Sequence, residues 1–357
     1  DYNSFAPTRW PITEARQGGR FFADGKFFTP SGKANMLPLT YRAPAAKTGR
    51  RYPLRLNTGR IRDQWHTMTR TALSPRLSAH LAEPFLEIHP EDAATAGIKP
   101  SMLVRVKSPA GSGVLRAMIT DRVQKGDVFA PMHWTGETAP SARVDALVPP
   151  VVDPVSGQPE SKASVVKVTR FAAEWYGFAV SSGTVAPNCD YWARAKTRSG
   201  YRLVLAGVTT PQDWEAEARR MFDLPDASAQ VMNDPASGTA RLAFYEGSVL
   251  KAALFVSKKP VAVMRDYLAT LTDTDAPYSI AGVSPADQPD PGPTVCSCFN
   301  VGVNTIVDAI ETQGHVSVDG VGKALQAGTN CGSCRPEIAD LLAKVREAQN
   351  ETKEAAE

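Results

Sequence analysis

Tyr52, Leu54 and Leu56 alternate with Arg51 and Arg55, a period of two that predicts a strand with one buried face. It runs into Thr58-Gly59-Arg60, a turn where glycine lets backbone come close to a ligand. Residues 85–134 repeat the theme. Phe85-Leu86-Glu87-Ile88 predicts a strand, and His89-Pro90-Glu91-Asp92 then opens a short helix, with proline and acids in the first turn and Gly97 closing it. Leu103, Val104 and Val106 predict a strand, Ser108 to Gly113 a turn, and Val114 to Thr120 the return strand, followed by Val128-Phe129-Ala130. Short strands with glycine-rich turns at this spacing predict a β-barrel, with a last strand near Val165–Val168.

The remainder divides by composition. Residues 1–50 read as loops with a short strand or two. Arg241 to Val256 reads as a hairpin, and Val261, Met264, Leu268 and Leu271 keep helical spacing, so 171–285 is expected to be a small α+β domain of unclear role. Pro285 to Pro293 is a linker. Helical stripes recur at Val303, Ile306, Val307, Ile310 and at Ile338, Leu341, Leu342, Val345, giving a compact unit over 286–345 and a polar tail over 346–357. With 357 residues, 43% of them hydrophobic, the chain has ample material for two to three domains. No apolar run approaches the roughly 18 residues of a membrane-spanning helix, and no secretory leader opens the chain. The start at Asp1 reads as a cut end of something longer.

Charge is polarised. Residues 1–100 hold 15 Lys and Arg against 8 Asp and Glu, whereas residues 266–357 hold 5 against 14. The basic front suits an anionic partner such as a pyrophosphate or nucleic acid, and the acidic back suits a basic protein partner. Four of the five cysteines fall at Cys296, Cys298, Cys331 and Cys334, a Cys-x-Cys and a Cys-x-x-Cys pair, while Cys189 stands alone. Two tight pairs favour a metal over a disulfide framework. Zinc or an iron–sulfur cluster could use four thiolates; the single-residue spacer suits a [2Fe–2S] cluster in which each pair binds one iron. Gly332 and Ser333 free backbone N–H groups for sulfur, and the helix start that follows favours negative charge.

Val295-Cys296-Ser297-Cys298-Phe299-Asn300-Val301 and Ala327-Gly328-Thr329-Asn330-Cys331-Gly332-Ser333-Cys334-Arg335-Pro336-Glu337-Ile338 together resemble a bacterioferritin-associated-ferredoxin-type [2Fe–2S] domain. The stretch Thr58-Gly59-Arg60-Ile61-Arg62-Asp63-Gln64-Trp65-His66-Thr67, the His89 helix, the strand pair around Gly111, Gly126-Asp127-Val128 and Met132-His133-Trp134 follow the order of the C-terminal barrel of molybdopterin-dinucleotide oxidoreductases, over roughly residues 1–170. Asp153-Pro154 through Lys162, with the appended cysteine unit, resemble the assimilatory nitrate reductase branch.

The resemblance implies a multidomain protein: a double-psi-type β-barrel that binds molybdopterin dinucleotide, a small α+β middle domain and a small helical [2Fe–2S] domain. Thr58 to Thr67 would wrap one molybdopterin guanine dinucleotide. Asp145, where relatives often have Asn, would lie near the second pterin, and Lys162 would reach a pterin or phosphate. Met132, His133 and Trp134 would lie towards the substrate funnel, and Cys296, Cys298, Cys331 and Cys334 would hold the cluster. The implied reaction is nitrate reduction to nitrite in the cytoplasm, with a flavoprotein NAD(P)H reductase subunit, ferredoxin or flavodoxin as donor and no nucleic-acid or membrane partner. A [4Fe–4S] cluster and any protein ligand to molybdenum are expected upstream, so this chain alone is expected not to reduce nitrate. A formate dehydrogenase-like molybdoenzyme and a non-catalytic electron-transfer protein are the rival readings. His89 and His80 are expected to be structural: His89 heads a helix, and His80 has no patterned partner.

Overall fold

The computed structural model describes residues 4, 6–7, 12–14, 16–284 and 289–354, with backbone alone at 16, 17 and 352–354. The linker expected at 285–293 therefore falls outside the described residues at 285–288, and the last three residues of the expected tail do likewise. Two units separate, Asp1–Pro44 and Ala45–Glu357. In the first, β1 (Ile12–Thr13) pairs antiparallel with β2 (Arg16–Gln17), and Phe22 stacks on Phe27 at 4.8 Å. The first 44 residues, read from sequence as the front of the barrel domain, form a unit of their own. Their apolar residues have no period-two run, and Met36, Leu39 and Tyr41 stay exposed.

The barrel begins at β3 (Leu54–Gly59). Along the chain come α1 (Pro75–Ala79), β4 (Phe85–Ile88), α2 (Pro90–Thr95), β5 (Leu103–Lys107), β6 (Ser112–Ile119), β7 (Asp127–Pro131) and β8 (Ser164–Arg170). The six strands close in the order β3-β7-β4-β6-β5-β8, and β8 pairs back onto β3. Closure leaves no open edge to template another chain. Leu56, Leu86, Ile88, Leu103, Leu115 and Val128 fill the interior. α2 starts as expected: the His89 ring accepts from the Glu91 N–H at 3.3 Å, Pro90 occupies the first turn, and Asp92 accepts the Gly126 N–H at 2.7 Å.

A six-stranded antiparallel sheet follows, built from β9 (Trp175–Ser181), β10 (Tyr191–Lys196), β11 (Tyr201–Gly207), β12 (Ser228–Asp234), β13 (Thr239–Glu246) and β14 (Val249–Ser257), with helices α3 (Trp214–Phe222) and α4 (Arg265–Leu271) in its connections. Its order is β10-β11-β9-β14-β13-β12. The central strands β9 and β14 are buried on both faces, one against α3 and the other against the barrel core. Barrel and sheet thus share one apolar core. A polar clasp adds to it: Arg116 forks onto Glu83 at 3.2 and 3.0 Å, and the fully buried Tyr191 hydroxyl donates to the same carboxylate at 2.8 Å.

The cysteine module comprises β15 (Thr294–Cys296), β16 (Val301–Gly302), α5 (Val303–Glu311), α6 (Val318–Leu325) and α7 (Arg335–Glu354). Its core joins Ile306 and Ile310 of α5 to Ile338, Leu342 and Val345 of α7, the stripes expected from sequence. Helix α7 runs on to Glu354, past the expected end at Val345. Residues 346–351 are exposed, and the Glu, Gln and Ala among them have good helix propensity. No helix among the described residues is long and apolar enough to cross a membrane.

Candidate cofactor sites on the barrel loop and the cysteine module

Strand β3 ends at a loop, 60–67, whose shape is set by one imidazole. His133, wholly buried after β7, accepts the Ile61 N–H on Nε2 at 2.9 Å. Its Nδ1 therefore carries the proton and donates to the His66 carbonyl at 2.6 Å. Burial pushes the His133 pKa down, so the ring is held neutral, as two opposite hydrogen-bonding roles require. His133, expected towards the substrate funnel, has both nitrogens engaged by backbone and so pins this loop. Lys162 donates to the Thr58 carbonyl, and the buried Thr58 hydroxyl donates to the Ser161 carbonyl at 2.8 Å. Two distant stretches singled out in the sequence thereby meet at the end of β3.

The loop divides its side chains between two surfaces. Arg60, Trp65, His66 and Thr67 are exposed. The Arg60 guanidinium sits 4.5 Å over the Trp65 ring, and Trp65 meets His66 edge-on at 4.7 Å. His66 and Met68 take left-handed backbone, φ 43° and 60°, which a non-glycine residue adopts only when its surroundings enforce it. Gln64 is buried: its amide donates to the Leu77 carbonyl at 3.1 Å, while Oε1 has no partner. A cavity of about 480 Å³ opens beside it, lined among others by Thr67, Trp134, Thr135, Arg194 and Lys196. Trp134 is buried there, Met132 is 38% exposed, and Asp145 lies exposed in a 3-10 turn, Val144–Leu147, beside β6.

Arg62 and Asp63 face the other way, into the cysteine module. The Arg62 guanidinium donates to the Val295 carbonyl, lies 3.3 Å from Glu337 and bonds Asp63 at 3.0 Å. His80 closes the ring, with Nδ1 2.8 Å from Asp63 and Nε2 3.3 Å from Glu337. Burial opposes charge on His80, yet the two carboxylates outweigh it and raise its pKa. Burial also opposes charge on Asp63, and there the contacts with His80 and Arg62 prevail and lower the pKa. Sequence reading missed His80 as a bridging residue because its partners lie on distant segments.

Within the module the four sulfurs form two facing pairs. Cys298 Sγ is 3.4 Å from Cys331 Sγ, and the Cys334 thiol faces that of Cys296. Each facing pair takes one cysteine from each motif, Cys298 with Cys331 and Cys296 with Cys334. Cys296 and Cys334 are both buried in the module's core. Hydrogen bonds from Ser333 hold the Cys331 thiol below its ordinary value, with its Oγ at 3.0 Å. Burial and the neighbouring Cys296 push Cys334 up to about 11. Four sulfurs as two pairs match the donor set of a two-iron cluster, and loading it would release the thiol protons. Among the described residues, no group of three or more His, Cys, Asp or Glu is gathered for one metal ion. Cys189 stands apart, its S–H donating to the Tyr191 carbonyl at 3.2 Å and its pKa pushed by burial to about 12.

Comparison with known proteins agrees with this layout. A protein of Klebsiella oxytoca named nitrate reductase is 34% identical over 352 residues, covering 96% of this chain and 39% of its own length. One of Shewanella frigidimarina, also named nitrate reductase, is 26% identical over 94% of this chain and 40% of its own. A formate dehydrogenase alpha subunit of Methanocaldococcus jannaschii is 35% identical over 45% of this chain and 23% of its own. The chain spans about two fifths of the length of the two relatives that match nearly all of it. Residues 54–165 match the Molydopterin dinucleotide binding domain and residues 294–344 the BFD-like [2Fe-2S] binding domain, and the chain thus carries a molybdopterin-dinucleotide barrel and a [2Fe–2S] module joined through an antiparallel sheet.

Proposed function

We propose that this chain is the cofactor-clamping and electron-entry portion of a cytoplasmic assimilatory nitrate reductase. One observation carries the reading: both cofactor domains lie in one chain, and a protein named nitrate reductase matches 96% of it. When bound, molybdenum held by two molybdopterin guanine dinucleotides would supply oxygen-atom transfer, and the cluster would supply one-electron steps. Nitrate, two electrons and two protons would yield nitrite and water.

The chain's own contribution is placement. Arg60, Trp65, His66 and Thr67 offer charge, a ring face and donors to a phosphate-bearing polycyclic ligand. The buried Oε1 of Gln64 offers an acceptor without a protein partner. Thr58, Gly59 and Lys162 fix the loop's start, and His133 fixes its middle. Asp145 is assigned to the second pterin. Met132 and Trp134 flank the substrate side, Trp134 through the 480 Å³ cavity. Cys296, Cys298, Cys331 and Cys334 ligate the cluster, which takes electrons from a flavoprotein reductase, ferredoxin or flavodoxin.

The test is cofactor release from the native protein containing this chain. Guanine dinucleotide identified by mass spectrometry, with nitrite formed from nitrate and reduced viologen, is the expected result; absence of the dinucleotide would sink the reading. A formate dehydrogenase is the second reading, favoured by the 35% identity over 45% of the chain. Formate-dependent dye reduction without nitrate reduction would put it first.

A further inference from the structure

Arg62 belongs by sequence to the loop assigned to the pterin and by contact to the cysteine module. Its guanidinium holds the carbonyl of Val295, the residue before Cys296, and faces Glu337 in the first turn of α7, just after Cys334. Arg62, Asp63, His80 and Glu337 form a closed ring of charged groups whose side chains are only 11–31% exposed. Charges so sheltered act over longer distances than solvated ones. The buried Nη1 of Arg62 makes its ionic contact with Glu337 and has no hydrogen-bond acceptor.

We infer that Arg62 is a positioning residue common to both cofactor domains: it seats the cysteine module on the barrel loop, and its charge favours the reduced form of the [2Fe–2S] cluster. The inference rests on the reading of the four cysteines as cluster ligands. Reduction adds one electron, hence one negative charge, to the cluster. A cation held beside Cys296 and Cys334 stabilises that added charge, and the carboxylate of Glu337 opposes it. The same loop would thus touch the electron-entry site on one face and the pterin on the other.

The test is a reductive titration with dithionite of the cluster-loaded protein, followed by visible absorption and electron paramagnetic resonance, in wild type, Arg62→Met, Arg62→Lys and Glu337→Gln. Arg62→Met is expected to lower the reduced-to-oxidised ratio at fixed potential by roughly tenfold, the size of effect for one nearby charge at an effective dielectric of about 20. Arg62→Lys, which keeps the charge but loses the fork, recovers most of the ratio. Glu337→Gln moves it the opposite way from Arg62→Met. Unchanged potentials, equal shifts in the Met and Lys variants, or shifts of one sign at both positions would overturn the inference. Should Arg62→Met fail to hold its cluster, Glu337→Gln against wild type decides, and a fall or no change overturns it. A wild-type protein without iron–sulfur absorption would instead defeat the ligand reading beneath it.

Discussion

Replacing His133 with Ala should unfasten the loop from the barrel. Two backbone groups lose their partner at once, the Ile61 N–H at 2.9 Å and the His66 carbonyl at 2.6 Å. Leaving a buried polar group unsatisfied costs about 1–3 kcal/mol, so the pair could cost up to about 6. The loop is exposed on its other face and water can enter the gap, which argues for the lower half, about 2–4 kcal/mol. Relaxation of His66 from its left-handed φ of 43° returns part of this, since such strain is worth about 1–3 kcal/mol. A net loss of about 2 kcal/mol is a large share of a domain's stability and is readily measured. Urea unfolding followed by tryptophan fluorescence would report it, with Trp65 and Trp134 adjacent in sequence to the two ends of the pin, and hydrogen exchange at the Ile61 amide would localise it. His133→Gln, whose side-chain oxygen can still accept from Ile61, should recover part of the loss. If the Ala variant kept its midpoint within about 0.5 kcal/mol and Ile61 stayed protected, the loop would be held by something other than this ring.

His133 and the partly buried His80 should respond to pH in opposite directions. His133 has a lowered pKa, so its contribution is present above the unfolded value near 6.5 and is lost as pH falls through the folded one; His80 has a raised pKa, so its contribution is present below about 6.5 and is lost as pH rises through the folded one. Gln variants should flatten the acid limb of the stability profile at 133 and the alkaline limb at 80, and flattening of the same limb by both would contradict the assignment. Gly59→Ala would set a methyl 2.7 Å from the Phe129 ring and should cost about 1–3 kcal/mol in urea unfolding, with relief from Phe129→Leu. In metal-free protein at pH 8, iodoacetamide should modify Cys331 quickly and Cys189 slowly, as peptide mass spectrometry can follow; the reverse order would overturn the contrast between a thiol bonded by Ser333 and one raised to about 12.

The first barrel strand was legible because it buries alternate residues, Leu54, Leu56 and Thr58, whereas β5 and β6 bury consecutive ones and were legible from their short apolar runs and the glycine-rich turn between them. The middle sheet was not, beyond the one hairpin from Arg241 to Val256. Strands β9 and β14 bury both faces and so do not alternate, while β12 is a largely exposed edge with a polar sequence. The cysteine quartet declared itself by residue type, but which thiols face each other depends on how two segments lie together, which spacing does not encode. The same limit hid the division of labour in the loop. Arg60 and Arg62 are equally basic in sequence, yet one stacks on Trp65 in solvent and the other enters a sheltered ring with Glu337.

The charge polarity of the chain takes on a different meaning once those contacts are known. An acidic back end read from sequence suggests a face for a basic partner, and a basic front suggests phosphates. Part of this charge is consumed within the molecule: Glu337 of α7 meets Arg62 of the basic front, and Asp340 meets Arg122 of the barrel. The Arg122–Asp340 pair, 3.3 Å apart and more than half exposed, contributes little and weakens in salt. The Arg62 ring is sheltered and resists screening. Moderate salt should therefore leave the cysteine module seated on the barrel while weakening any donor that docks on the exposed acids of the module, such as Asp308, Glu311 and Glu347. Electron entry from a protein donor would slow with ionic strength while reduction by a small uncharged dye would not, and a parallel loss of both would mean that the two domains, rather than the donor, had come apart.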